Sequence, residues 1–222
     1  MSSALEKILF SLKYEKSKDI LANVKNILLA KSGLRVAETY FFRRQMVVDI
    51  EFIKEFITQE LHEINLVIIK SKQDLALYKN ITRKFFLTPF EKWFSRESIC
   101  LSLELDRHII AYGWLHFNFY DNLESAGTFH LSNNECWIGP AYVDASYRKK
   151  GLSYLSVYHR LKFIRDLGIV DVYTSTSSKN IAPIRYLIKT GFQLIGCIRA
   201  GSFRDRVIVD FTPEELVRKK IT

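Results

Sequence analysis

Apolar residues recur at two distinct spacings along this chain, and the switches between them mark out its elements. Leu5, Ile8, Leu9 and Leu12, then Ile20, Leu21, Val24, Ile27 and Leu28, fall at helical spacing on a Lys-rich background, which predicts two short amphipathic helices within residues 4–32. "VAETYFFRRQMVVDIEF" predicts a strand around Thr39 to Met46, and "EFIKEFITQELHE" a helix. No Gly/Ser/Pro linker or repeat follows, so residues 1–60 are expected to form a helical extension docked on a main domain of residues 61–222.

From Ile64 onward the pattern sharpens. "NLVIIK" reads as a short strand, followed by Ser71 and Asp74 in capping-box spacing ahead of a helix. Thr88-Pro89-Phe90-Glu91 opens a second helix with Phe90, Trp93 and Phe94 on one face. Ile99, Leu101, Leu103 and Leu105 then alternate with polar or small residues, and Asp106-Arg107 turns the chain into "HIIAYGWLHF", an antiparallel hairpin. "ECWIGPAYV" is another strand whose internal Gly139-Pro140 calls for a bulge or an interrupted edge, because proline lacks a ladder N–H. Leu152, Leu155, Leu161 and Ile164 line a helix, "IVDVYTSTS" is a strand, "NIAPIRYLIKTG" a helix, and "FQLIGCIRAG" with "RVIVDF" a last hairpin. A mixed α/β fold with helices covering one sheet follows.

Composition narrows the function classes. At 222 residues, 48% hydrophobic and 14% aromatic, the chain can bury a sizeable core, and its net charge of +9 favours anionic partners. Cys100, Cys136 and Cys197 are odd in number and set in apolar stretches, which points to reduced thiols and a cytoplasmic setting. No clustered His/Cys spacing suggests a metal, no nucleic-acid module is recognisable, and no apolar run is long enough to span a bilayer. The Lys-rich helices could touch an anionic leaflet, but their apolar stripes favour docking on the domain.

The chemistry concentrates in "YRKKGLSYLS". A strand leading through a basic, glycine-containing loop into a helix exposes unpaired N–H groups at the positive end of the helix, and such an end binds phosphate. Arg148, Lys149 and Lys150 add cations, and Gly151 lets an anion approach the backbone. Neither GxGxxG nor GxxxxGK[ST] occurs, which removes the dinucleotide and P-loop readings. Arg148-Lys149-Lys150-Gly151-Leu152-Ser153 instead resembles the R/Q-x-x-G-x-G/A loop of the GCN5-related N-acetyltransferase (GNAT) family, with Ser153 as a mild departure. Asn180 and "PIRYLIKTGF" resemble a second motif of that family, N-x-x-[AS]-I-R-x-L-x-K-x-G-F. The resemblance covers residues 64–211.

The resemblance implies the acyl-CoA N-acyltransferase fold: a predominantly antiparallel sheet with a splayed central parallel strand pair, here with an N-terminal helical extension. It implies acetyl-CoA, with its pyrophosphate on the N–H groups of Lys149 to Ser153. The pantetheine would lie along Ala141, Tyr142 and Val143 and be bonded by Asn180. For the base, Glu135 leads because it precedes the splayed strand on the face of Trp137; His130 is the second candidate. The family often places an acidic tyrosine seven residues after the asparagine, but that position is Leu187; Tyr186 is one helical step away and is a candidate only for a proton-donating or packing role. Trp114, His116 and Tyr120 are candidates for the acceptor pocket, with core packing as the competing role for aromatics there. The layout is similar to acetyltransferases of bacterial surface polysaccharide synthesis, which makes the expected acceptor a small-molecule amine, an amino sugar or its nucleotide-activated form. A protein N-terminus is the runner-up, and a non-catalytic acyl-CoA sensor the alternative from another class.

Overall fold

The computed structural model describes residues 35–47, 49–57, 64–76, 90–121, 128–203 and 206–212. The helices expected within residues 4–32 lie outside them, as do Thr88 and Pro89. The described strands are β1 (Arg35–Gln45), β2 (Asn65–Ile69), β3 (Ile99–Leu105), β4 (His108–His116), β5 (Phe119–Tyr120), β6 (Phe129–His130), β7 (Glu135–Val143), β8 (Asp171–Ser177), β9 (Gln193–Phe203) and β10 (Arg206–Thr212). Among the described residues four α-helices join them: α1 (Lys72–Ala76), α2 (Phe90–Phe94), α3 (Leu152–Asp166) and α4 (Ile181–Lys189). Short 3-10 turns cover Glu51–Phe56 and Ala145–Tyr147. Ser71 and Asp74 cap α1 reciprocally, with the Asp74 N–H donating to Ser71 Oγ at 3.2 Å and the Ser71 N–H to Asp74 Oδ2 at 3.0 Å, as their spacing predicts.

Eight strands form one sheet in the order β10-β9-β1-β8-β7-β4-β3-β2. Every neighbouring pair is antiparallel except β7 and β8, which run parallel. The sheet is buried on both faces, which is why "YFF" in β1 is apolar without alternation. On one face Phe41, Trp93, Trp114, Tyr120, Phe129, Trp137 and Tyr173 form an aromatic layer. On the other, Phe42, Leu115, Cys136, Ile138 and Val172 meet Val157, Leu161 and Ile164 of α3 and Leu187 of α4.

Arg35–Gln45, within the first sixty residues, enters this sheet directly. The strand expected at Thr39 to Met46 begins four residues earlier, at Arg35, and lies between β8 and β9. The helix expected from Glu51 onward is a 3-10 turn that ends at Phe56. Two arginines fix β1 in place. Arg43 forms a bidentate pair with Asp171 at the start of β8, both bonds 2.8 Å. Arg44, 1% exposed, donates Nη2 to the Asp49 carbonyl at 2.8 Å and Nη1 to the Thr190 carbonyl at the end of α4.

Gly191 makes that second anchor possible. Its φ of +82° suits the turn out of α4, and a Cβ built there would overlap the Arg44 guanidinium. Gly191→Ala is therefore expected to cost at least ~2 kcal/mol, combining left-handed strain with displacement of a buried cation. A thermal melt should fall by roughly 4–8 °C for a chain of this size; an unchanged melt would show that Arg44 can move aside without loss.

Candidate functional site

β7 and β8 pair only over Glu135–Asp171, Cys136–Val172 and Trp137–Tyr173, and then separate. The physical cause is a bulge in β7. Gly113 opposes Ala141 and Leu115 opposes Ile138, so β7 carries one residue more than β4 across this stretch, and the extra residue falls at Gly139-Pro140 as the proline predicts. Gly139 has φ +118°, and the Gly139-Pro140 peptide is cis. Thr174 Oγ1 lies 3.6 Å from where a Cβ on Gly139 would stand, so the strands are still close at the first step of the opening. Beyond it, β7 from Ile138 to Val143 remains laddered to β4 while β8 from Thr174 to Ser177 is laddered to β1, leaving two backbone edges facing each other across a V.

His116 holds the bulge. Its Nε2–H donates to the Gly139 carbonyl at 2.8 Å, which leaves Nδ1 to accept the Ser98 hydroxyl at 2.9 Å. Trp93, Trp114 and Tyr120 surround the ring, and only 2% of the residue is exposed. Burial pushes the imidazole down to about 4, against the raising effects of the Gly139 bond and Asp121. Trp114 and Tyr120, expected beside it in an acceptor pocket, are 0% and 7% exposed and belong to the aromatic layer, with Tyr120 stacked on Trp137 at 4.5 Å. Packing, the competing role, accounts for these three side chains as they stand.

At the open end of β7 the basic loop is a built structure. Asp144 Oδ1 accepts the Ser146 N–H at 2.9 Å, Arg148 Nε donates to the Val143 carbonyl at 3.2 Å, and the Arg148 guanidinium lies over Tyr142. Arg148 thus ties the loop back to its strand. Lys149, exposed, takes φ +69°, and Gly151 takes φ +77° as the residue before α3. Lys150 is exposed with its ammonium over the Tyr147 ring. The bonds of α3 begin with the Tyr154 and Leu155 N–H groups donating to the Gly151 carbonyl, so the N–H groups of Leu152 and Ser153 lie outside the helix ladder at its positive end. Leu152 is buried and fixes that end against Leu103, Ile110 and Val143.

Asn180 precedes α4, is exposed, and donates Nδ2 to Thr176 Oγ1 at 3.4 Å, at the β8 side of the opening. Tyr186 crosses from α4 to α3 and donates its hydroxyl to the Ser153 carbonyl at 2.9 Å. Desolvation pushes that hydroxyl up to about 12, partly opposed by the Arg160 guanidinium. Leu187 is 6% exposed and packs in the apolar layer under α3.

Glu135 stands at the paired end of β7, 8% exposed. Its Oε2 accepts the Ser132 N–H at 2.8 Å and its Oε1 the Tyr173 hydroxyl at 3.0 Å. Burial raises the proton affinity of Tyr173, and the Glu135 carboxylate adds to the effect. Tyr173 occupies the last rung before the strands part, so this hydrogen bond links Glu135 to the base of the V. His130, on β6, is exposed and on a different strand pair. The structure thus gathers Ala141 to Val143, the basic loop and Asn180 around one opening, sets Glu135 at its closed end, and leaves His130 apart. Among the described residues no group of His, Cys, Asp and Glu could hold a metal ion, and no helix is long and apolar enough to cross a membrane.

The model of the acetyltransferase (GNAT) family matches residues 67–192, more than half of the chain. The chain belongs to the GNAT family. No curated protein matches it by sequence. Among solved structures, a GNAT-family acetyltransferase from Colwellia psychrerythraea is similar at 15% identity and TM-score 0.51, covering 82% of this chain and 62% of that one. A glucosamine N-acetyltransferase region of a fungal multi-domain beta-N-acetylglucosaminidase gives 13% identity and TM-score 0.55 over 85% of this chain and 23% of that one. A tandem GNAT protein of clavulanic acid biosynthesis gives 11% identity and TM-score 0.55 over 85% and 58%. These likenesses concern the fold, and this chain spans less than two thirds of the length of each of the three.

Two buried polar side chains beside these strands escaped the sequence analysis. Tyr173 was hidden inside an ordinary strand alternation. Arg160 carried a signal: it follows Leu152 and Ser156 and precedes Ile164 at four-residue steps, so helical spacing places it on the buried stripe of α3.

The His116 environment predicts a pH effect. Its folded-state value lies below the ordinary value of 6.5, so the unfolded chain takes up a proton first and stability falls as pH drops from about 6.5 towards 4. The expected loss is on the order of 3 kcal/mol across that window. Melting curves of wild type and His116→Gln at pH 7, 6, 5 and 4 check this: the variant should lose the extra steepness between pH 6.5 and 4, and parallel curves would refute it.

Proposed function

We propose that the protein is an acetyl-CoA-dependent N-acetyltransferase that moves acetyl directly onto a primary amine of a small molecule, an amino sugar or its nucleotide-activated form. The observation that carries this reading is the V between β7 and β8, flanked on its outer sides by the β4 and β1 ladders and ending at a helix N-terminus ringed by cations. The residues fit the cofactor. Gly151 presents no Cβ, the free N–H groups at the start of α3 suit a pyrophosphate, and the β7 edge that faces the gap at Ala141 to Val143 suits the amides of a pantetheine. Lys149 and Lys150 add charge, Arg148 holds the loop, and Asn180 stands ready for a polar group of the arm.

Acetyl-CoA supplies the activated thioester. An N–H of β7 facing the gap would stabilise developing negative charge on the acetyl oxygen, an effect worth ~3 kcal/mol per well-placed donor. Glu135, oriented by Tyr173 and the Ser132 N–H, is the proposed acceptor of the amine proton, directly or through water. His116 does not compete for that role, because both ring nitrogens are engaged and the ring stays neutral. The amino-sugar acceptor is supported by the similar layout of polysaccharide-associated acetyltransferases and by the description of one fold neighbour as a glucosamine N-acetyltransferase region.

Gly151→Asp adds bulk and a like charge at the anion site and should weaken acetyl-CoA binding at least ~100-fold; calorimetric titration showing wild-type affinity would remove the cofactor assignment. Glu135→Gln should lower turnover ~100-fold while acetyl-CoA affinity stays near wild type, and a loss of only a few-fold would take the base role from Glu135. The acceptor is tested by thiol release from acetyl-CoA against amino sugars, polyamines and peptides. Turnover of amino sugars is expected. Turnover of peptides alone would move the acceptor to protein N-termini, and tight cofactor binding without any turnover would make the protein a sensor.

A further inference from the structure

We propose that Arg160 stabilises the CoA thiolate as it departs, in place of a proton-donating tyrosine; the proposal rests on the acetyltransferase reading above. The two α4 side chains nearest the family's position for an acid do not fill that role as placed. Leu187 is apolar and buried, and the Tyr186 hydroxyl is directed to the Ser153 carbonyl.

Arg160 is 3% exposed and lies in the middle of α3. Its Nε donates to the Ser156 carbonyl at 3.3 Å, its guanidinium also meets the neutral Tyr186 hydroxyl, and among the described residues no carboxylate pairs with it. A buried cation without a counter-charge is costly, so its retention calls for an anion that appears during function. The guanidinium lies flat on Gly113 of β4, where a Cβ would come within 2.7 Å of its Cζ. Gly113 is the ladder partner of Ala141, which is exposed and whose other edge faces the V.

The level along the cleft agrees. Leu152 and Val143 belong to one apolar cluster, and Arg160 is eight residues further, about 12 Å along the helix. The same distance back along β7, at about 3.3 Å per residue, reaches Gly139-Pro140. That is where the V begins, at the far end from the basic loop, and where the reacting end of a cofactor held by that loop would lie.

Arg160 faces the electron pair left on sulfur as the carbon–sulfur bond breaks and the new carbon–nitrogen bond forms. The surplus proton of the amine leaves through Glu135, so no proton need reach sulfur in that step. Groups already around the guanidinium respond as a thiol should. Arg160 favours the ionised forms of Cys100, Cys136 and Tyr186, although desolvation outweighs it at each of them.

The test reads the acidity of the cofactor thiol, independently of any acceptor. CoA is bound to the protein and its thiolate absorbance is followed against pH, with desulfo-CoA as the blank. In wild type the bound thiol should ionise about tenfold more readily than free CoA, a midpoint about one pH unit lower. Arg160→Met should return the midpoint to that of free CoA or above it, Arg160→Lys should keep part of the shift, and Tyr186→Phe should keep most of it. A wild-type thiol no more acidic than free CoA overturns the proposal, and this arm needs no variant to fold. A shift that survives Arg160→Met, or that disappears in Tyr186→Phe, overturns it as well. Failure of wild type to bind CoA at all would overturn the acetyltransferase reading first, and this inference with it.

Discussion

The site depends on one hydrogen bond, from His116 Nε2 to the Gly139 carbonyl. A parallel strand pair left to itself would continue its ladder, since each unpaired backbone group forgoes a partner. Here β7 is given an extra residue, and the carbonyl displaced by that residue is taken by a buried imidazole whose other nitrogen is fixed by Ser98. The neutral ring is required for this, because the protonated form would put an unpaired charge among Trp93, Trp114 and Tyr120. The outer ladders then keep both lips of the opening in place, β7 through β4 and β8 through β1. The aromatic layer is therefore the scaffold of the opening, with His116 at its edge against the bulge.

Electrostatics divides the cations into two tiers. Lys149 and Lys150 are exposed at the loop, where solvent and salt attenuate their fields. Arg160 sits in the interior, where a charge acts over longer range but must be tolerated when no opposite charge faces it. Burial lowers its proton affinity, yet a guanidinium starts so high that it stays charged. A lysine at the same place would be far closer to losing its proton. Gly113 is the structural counterpart of that choice, because a planar cation can lie against a strand only where no side chain intervenes.

Local rules made much of this legible. The loop–helix junction, the Asn180 helix start and the bulge at Gly139-Pro140 each follow from residue types at fixed spacing, and each stands where that spacing put it. Nonlocal pairing was harder. "VAETYFFRRQ" reads as a strand, but nothing in it says that its neighbours are β8 and β9, more than a hundred residues away. The 3-10 turn at Glu51–Phe56 shows the same limit, since its apolar spacing suits a longer helix until packing against α3 decides. His116 and Glu135 carried chemistry-bearing side chains, and only the structure revealed which of their atoms were already engaged. Arg160 was missed because a charge on an apolar stripe is easily assigned to the solvent side.

The position of β1 has a consequence for how the chain assembles. Among the described strands the β9–β10 hairpin joins the rest of the sheet only through β1, so an early segment is the bridge that carries a late one into the fold. Loop closure over such separations must be completed before any ladder energy is returned, which slows the search. On a ribosome, β2 to β4 can pair as soon as they emerge, whereas β1 must wait, its two long edges unpaired, until both β8 and β9 have been made. Arg43 and Arg44 suit a strand that waits: two adjacent cations repel a second copy of the same edge until Asp171 and the Thr190 carbonyl arrive to receive them.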